Sequence, residues 1–512
     1  MIILYSHQMK RSENGQEVIV LGSGLGGVIA GTWLAKNKYS VLLLKENGYQ
    51  PSYIIQGYRF TPFSSISEKR LKPSLLRKVS QTLDLPPFID SRESELQARD
   101  ISKRLKKTDG YQVILPKARI DIFSQRSLAK KEWKREFPNE VAQIEGFYND
   151  LDHAHHLLQK LKSKKNASPF FPARQRSFIK NIFSVASLSK KRIDQSLSGF
   201  SREFAEFIKV QLTSWGNLYS DQFPISWTAH ILLDELDALV SNFDIEELRK
   251  EILNRFLHYG GKVKEIESVK NVEIKWRKGQ MLSLGGERTI FQSKFLILNA
   301  PFHRISSLLA RQEKWKQKGE ERIRPRYVLI PLFLGVHERV IPVGMKDLLV
   351  SILDLEKPYT DGNVLFLSFS PKGDETQAPE GRRALTVTSL MELDQWEQTL
   401  LVDHQNGVLR HLYHLFPFLE GHIDFLNFQW ACEHIPRWSY PHFHYEAVSR
   451  FHWREGVFPM RLGKNVYLVG KENFPHLGLE GEIFAGLMVA QEILKKYSSP
   501  PFHEVDRLIR EV

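Results

Sequence analysis

Glu17-Val18-Ile19-Val20-Leu21-Gly22-Ser23-Gly24-Leu25-Gly26-Gly27 sets an unbroken apolar run against a glycine-rich turn. The apolar run reads as a buried strand, Val28 to Lys38 after the turn reads as a helix, and Val41-Leu42-Leu43-Leu44 reads as a second buried strand. Strand, turn, helix and strand in so short a stretch make a βαβ unit, which predicts a parallel sheet. In Gly22-x-Gly24-x-x-Gly27 the first glycine permits the tight turn and the second lets a pyrophosphate approach the backbone. The third allows close helix–strand packing, and the helix N-terminus offers free N–H groups and a positive dipole end. Ser23, Leu25 and Gly26 complete the turn. The alternative reading is a glycine-rich turn that holds no ligand.

Working outward, 512 residues exceed the roughly 250–300 that one hydrophobic core serves, so two or more domains are expected. With 42% hydrophobic and 26% charged residues the chain falls near the globular average, against a disordered or fibrous one. A single cysteine, Cys432, excludes an internal disulfide scaffold and a thiolate zinc cluster, and fits a reducing compartment. The longest uncharged apolar run, Val328 to Val336, is far below the ~18 residues of a membrane-spanning helix, and the first residues lack the charge order of a signal peptide. A cytoplasmic protein is therefore expected. The formal net charge is +13. Residues 101 to 200 hold 21 Lys+Arg and 9 Asp+Glu, a net of +12, so the excess is a local patch.

Residues 64 to 107 show no clear period and read as connecting structure. Residues 111 to 123 alternate and suggest paired strands of a second sheet, and 127 to 162 read as helix. Helices continue over 201 to 257, broken near Gly216 and Pro224. From Gly260-Gly261 come the strand-like stretches Lys262 to Ile266, Val272 to Trp276, Met281 to Leu284 and Phe295-Leu296-Ile297-Leu298, ending in Asn299-Ala300-Pro301. Arg326 to Val336 and Asn363 to Ser370 are strand candidates, Glu392 to Leu415 a helix, Asn465 to Gly470 a strand and Glu480 to Lys496 a helix.

Residues 17 to 46, the Gly260-Gly261 block closing in Leu298-Asn299-Ala300, and the strand-loop-helix from Asn465 to Leu494 follow one another in the order and spacing of a known family. The chain resembles the flavin-dependent phytoene desaturases and carotenoid isomerases, which are related to the flavin amine oxidases. The resemblance implies an α/β fold: a Rossmann-like FAD/NAD(P)-binding domain with an interleaved α+β substrate domain. The dinucleotide domain would comprise residues 1–85, 235–305 and 455–497, and the substrate domain 86–234 and 306–454, with 498–512 a C-terminal tail. It further implies that Gly22, Gly24 and Gly27 hold the FAD pyrophosphate and that Val269 lies on the strand whose backbone meets the adenine. Gly470 and the loop Asn473 to Glu480, with Gly478, Leu479 and Glu480, would bring the last helix to the flavin ring, where its dipole can stabilise negative charge.

Three positions depart from the family pattern. The ribose-binding acid that ends the second strand falls in register on Lys45, with Glu46 one position late, and a one-residue shift on a strand reverses the face. The Gly-Gly-Arg segment after that acid reads Gln50-Pro51-Ser52-Tyr53, and the Gly-Asp pair near the ribityl chain reads Gly470-Lys471, followed by Glu472. Three readings stand side by side. Glu46 and Glu472 replace the usual acids and FAD binds with rearranged contacts; or flavin binding is lost and the fold serves as a lipid- or partner-binding protein; or Lys45 favours a 2′-phosphate, as in NADP sites.

No catalytic side chain is singled out, because hydride transfer between an apolar polyene and a flavin is chiefly cofactor chemistry. His434, His442, His444 and His452 are interleaved with Trp430, Trp438, Tyr440, Phe443, Tyr445, Phe451 and Trp453. No HxxxH helix is evident, so they read as pocket lining rather than metal ligands. Residues 160–192 set Lys and Arg around Phe178, Ile179, Ile182, Phe183, Val185 and Leu188, which share one helix face. That is the pattern of a peripheral contact with an anionic membrane surface, or of an ordinary amphipathic helix on a core. No nucleic-acid motif accompanies it. The expectation is an FAD-dependent desaturase, saturase or isomerase of a long, lipophilic isoprenoid or carotenoid-like substrate at a membrane surface.

Overall fold

The computed structural model describes residues 13–46, 53–60, 73–86, 110–123, 125–163, 192–219, 223–234, 245–267, 269–275, 279–284, 290–308, 323–397, 401–428, 443–447, 460–463 and 465–497. Two sheets organise these residues. The first contains β1 (Glu13–Leu21), β2 (Val41–Glu46), β8 (Lys262–Ile266), β9 (Val269–Lys275), β10 (Gly279–Leu284), β11 (Ile290–Leu298) and β18 (Val466–Leu468). Its order is β8-β2-β1-β11-β10-β9, with β18 also on β11. β8, β2, β1, β11 and β18 run parallel. One edge of β11 is shared: Ile290 to Ser293 pair antiparallel with β10, and Leu296 to Leu298 pair with β18.

The apolar run Val18 to Leu21 is fully interior because both faces of this sheet are covered, one by helices and the other by the core that runs into the second sheet. Helices α1 (Leu25–Lys36), α2 (Pro73–Leu83), α8 (Ile245–His258) and α12 (Leu479–Tyr497) cover one face, and share a core with Val18, Val20, Leu43, Phe295 and Ile297. The alternate residues Ile19, Leu21, Leu42 and Leu44 join the larger core that runs into the second sheet.

That sheet has nine strands in the order β6-β5-β13-β14-β15-β12-β17-β7, with β16 on β12. They are β5 (Tyr111–Ile114), β6 (Arg119–Ile122), β7 (Leu218–Tyr219), β12 (Ile323–His337), β13 (Leu348–Ile352), β14 (Val364–Phe369), β15 (Arg382–Glu392), β16 (Ile423–Asn427) and β17 (Phe443–Ala447). A separate hairpin joins β3 (Tyr53–Ile55) to β4 (Tyr58–Phe60). The remaining helices are α3 (Arg126–Glu136), α4 (Val141–Ser163), α5 (Ile193–Leu197), α6 (Arg202–Trp215), α7 (Ile225–Asp234), α9 (Phe302–Leu308), α10 (Leu393–Glu397) and α11 (Leu401–Leu415).

The connecting segment expected at 64 to 107 contains a helix, α2. Pro73 begins it, where a missing N–H costs nothing, and Leu75, Leu76, Val79 and Leu83 form its buried stripe. The single helix expected over 127 to 162 is two, parted at Phe137 to Glu140, because Pro138 cannot continue the ladder begun in α3. β13 and β15 were not anticipated from sequence. Both are buried over nearly their whole length, so they lack the alternation that marks a half-exposed strand. Residues 164–191, most of the basic segment, lie outside the described residues, as do His434, His442 and His452 with Trp430, Trp438, Tyr440, Phe451 and Trp453.

Candidate cofactor site at the carboxyl ends of the parallel strands

From β1 the chain steps to β2 on one side of the sheet, while β11 and β18 lie on the other. The strand order therefore reverses between β1 and β11, and the crevice beyond their carboxyl ends is where open α/β sheets receive ligands. Four segments meet there: the glycine turn after β1, Glu46 ending β2, Asn299 after β11 and Gly470 after β18.

Gly22 has φ +102°, a conformation glycine adopts without strain, and its N–H donates to the Leu44 carbonyl at 2.9 Å. The other glycines serve close approach. A Cβ on Gly24 or Gly27 would lie 2.5 or 2.6 Å from Asn299 Oδ1, and one on Gly26 would lie 2.5 Å from the Glu482 carbonyl oxygen. The Gly26 N–H, at the start of α1, donates to Glu482 Oε1 at 3.1 Å. Asn299 Nδ2 donates to the Val469 carbonyl at 2.8 Å and lies 3.3 Å from the same Glu482 oxygen. Leu25 is buried, and the Ser23 carbonyl faces the Arg249 guanidinium at 3.4 Å. Arg249 is itself paired with Glu246 at 2.6 Å within α8.

At the end of β2 the register is decided. Lys45 and Glu265 are partners across the parallel β2–β8 pair, and the Lys45 ammonium reaches the Glu265 carboxylate at 2.8 Å. Lys45 is thereby engaged by Glu265. Glu46 takes the opposite face and is buried. Its Oε1 accepts the Val269 N–H at 3.0 Å and a bond from Arg304 of α9. Its Oε2 is buried with no hydrogen-bond partner. A carboxylate oxygen withdrawn from water and left unmatched is costly, and it is the acceptor that a ribose hydroxyl would satisfy.

Beyond β18, Gly470 is extended at φ −174° and its N–H donates to Asn473 Oδ1 at 2.9 Å. Lys471 is half-buried, whereas Glu472 is wholly interior and accepts from the Phe302 N–H at 3.1 Å and from the Tyr445 hydroxyl. Burial holds the Glu472 carboxyl above its ordinary range, and the same burial pushes the Tyr445 phenol well up. His444 beside it is pushed down to about 3, by burial and then by the Lys471 charge. Gly478, at φ +55°, reverses the chain into α12, whose first residues Leu479 and Glu480 are buried. The His476 ring of this loop stacks on Trp227 of α7, with centroids 3.9 Å apart.

No protein-family model matches the chain. Prolycopene isomerase of Arabidopsis thaliana, a chloroplastic protein, is 23% identical over 94% of this chain and 83% of its own length. The prolycopene isomerase of Daucus carota is 22% identical over 93% and 80%. The chain is thus similar to the carotenoid isomerases over most of its length. Among solved structures, putrescine oxidase bound to putrescine shares the fold at a TM-score of 0.60, with 13% identity over 94% of this chain and 99% of that one. A Rab GDI from Plasmodium falciparum shares it at 0.54, with 10% identity over 94% and 98%.

The hydrogen bonds of the site point to three residues that the sequence did not single out. Arg304, Arg249 and Glu482 all sit within hydrogen-bond reach of the expected site residues. Arg249 lies on a helix to which the sequence assigned no role, and the short helix α9 that carries Arg304 was not anticipated. Glu482 was legible in principle, because a charged residue three positions after Leu479 and directly before the apolar stretch Ile483 to Ala490 calls for a partner.

Proposed function

We propose that this chain binds a flavin dinucleotide, FAD, along the carboxyl ends of β1 and β2, and that it isomerises, desaturates or saturates a long apolar isoprenoid of the carotenoid type. The observation that carries the reading is Glu46: a buried carboxylate ending β2, beside the glycine turn, with one oxygen unmatched. At that end the residues fit a dinucleotide. Glu46 would take the ribose hydroxyls, the Val269 segment would border the adenine, and α1 would direct its N-terminus at the diphosphate. The flavin would supply the transfer or redistribution of electrons along the polyene. Glu472, beyond the end of β18, accepts hydrogen bonds from the Tyr445 hydroxyl and the Phe302 amide and so fixes both. Val469, Phe474 and Leu477 exclude water around the start of α12.

The substrate, being lipophilic, would be drawn from an anionic membrane surface that the basic segment 160–192 contacts. Among the described residues no helix is long and apolar enough to cross a membrane. Flotation with anionic liposomes tests the contact: replacing Lys190, Lys191 and Arg192 with Glu should abolish it, and unchanged flotation would remove it from the proposal.

A second reading is favoured by two contacts, the Glu482 carboxylate on the Gly26 amide and the His476 ring against Trp227. Both put side chains where the cofactor reading expects room, and a chain with this fold and no flavin would serve as a lipid- or partner-binding protein. The visible absorption spectrum of the purified protein, before and after incubation with FAD and gel filtration, separates the two. Flavin retained with the protein supports the enzyme; none retained in either sample supports the binding protein.

A further inference from the structure

Glu482 projects from the first turn of α12 onto the N-terminus of α1. Its Oε1 accepts the Gly26 N–H at 3.1 Å, lies 3.3 Å from Asn299 Nδ2, and sits 2.6 Å from where a Cβ on Gly24 would be. The carboxylate therefore fills the hollow that the missing side chain at Gly24 opens. An amide at the start of a long helix is an anion-binding group, and here the chain supplies the anion itself. The buried Glu46 oxygen that lacks a partner lies at the end of β2, so the ribose end keeps an unmatched acceptor while the diphosphate end is held.

We propose that the Glu482 carboxylate is a resident anion in the diphosphate position. A dinucleotide seats on the glycine turn only when that carboxylate swings away from Gly26, and Glu482 thus sets how tightly the cofactor is retained. The inference rests on the flavin reading above. It follows from charge: a diphosphate and a carboxylate cannot share one amide and one asparagine in a site withdrawn from water without strong mutual repulsion. The Arg249 guanidinium, 3.4 Å from the Ser23 carbonyl, is already neutralised by Glu246 and does not offset it.

The test uses the full-length protein as wild type, Glu482→Gln and Glu482→Ala, each stripped of flavin and titrated with FAD while the quenching of flavin fluorescence is followed. ADP, which carries the diphosphate without the flavin ring, is titrated in competition. Gln keeps an acceptor for the Gly26 N–H and so preserves the fold if the smaller Ala does not. Both variants are expected to bind FAD and ADP at least about tenfold more tightly than wild type, the effect of removing one nearby like charge. Glu265→Gln, which removes an exposed carboxylate paired with Lys45, should leave both affinities unchanged. Wild type that binds FAD while Glu482→Gln binds it no more tightly would overturn the inference and leave the flavin reading standing. If none of the proteins binds FAD, both fall together.

Discussion

The Val269 N–H donates to Glu46 Oε1 across 3.0 Å, joining the carboxyl end of β2 to the start of β9. This bond, with the one from Arg304, fixes the carboxylate so that its second oxygen alone remains to be satisfied. Replacing Glu46 with Ala should weaken FAD binding by about 10–100-fold, the worth of a charge-assisted hydrogen bond of ~1.5–3 kcal/mol. Lys45→Ala should leave it unchanged. Fluorescence titration of the two variants decides the point, and the reverse pattern would return the ribose to Lys45.

Helices α1 and α12 touch backbone to backbone. A Cβ on Gly486 would lie 2.3 Å from the Gly26 carbonyl oxygen, whereas one on Gly31, also in α1, would meet nothing nearer than Val20 at 3.5 Å. Gly486→Ala is expected to destabilise by about 1–3 kcal/mol through overpacking. Gly31→Ala should be neutral or stabilise by up to about 1 kcal/mol through helix propensity. Thermal unfolding of the two variants should separate them in opposite directions.

Glu472 carries a stability cost at neutral pH. Its carboxyl titrates above the ordinary range because burial disfavours the charge, so the folded state holds this proton where the unfolded chain has released it. The contribution is fully present below pH ~4.5 and is lost as pH rises through the folded value. Glu472→Gln keeps an acceptor for Phe302 and Tyr445 and should raise the melting temperature at pH 8, with the gain vanishing near pH 4. A melting temperature that falls at pH 8 would contradict this.

Acid should loosen the second sheet. His404 and His411 lie one above the other on α11 and face Ser389 of β15 and Ser351 of β13 at 2.7 and 2.8 Å. Burial pushes both imidazoles down to about 4. Each stays neutral in the fold while the unfolded chain takes up a proton below about pH 6.5, so stability is full above that value and is lost as pH falls towards 4. The loss should approach ~3 kcal/mol for each histidine, and His404→Gln should reduce the pH dependence of urea unfolding between pH 6.5 and 4.

Strand β1, the glycine turn and α12 could be read directly, because apolar runs bounded by glycine leave few alternatives. The choice between Lys45 and Glu46 could not be settled that way. It depends on where β2 stops relative to β8, which is a matter of pairing between residues 220 positions apart. α2 was missed because its surface residues are those of a loop, and only the spacing of four apolar residues marks it. The partners of the site residues, Arg304 and Glu482, sit on helices far along the chain, and no local pattern announces which strand end a helix will meet.

The bond from Gly26 to Glu482 spans 456 residues. On the ribosome, β1 and α1 emerge well before β11, which pairs with β1, and before α12, which covers α1 and follows every strand of the second sheet. The nascent chain must therefore carry Val18 to Leu21 and the buried face of α1 unsheltered while most of the second sheet is being made. Such a protein would depend on holdase chaperones during its production, and truncation before residue 479 would leave an aggregating fragment rather than a smaller domain.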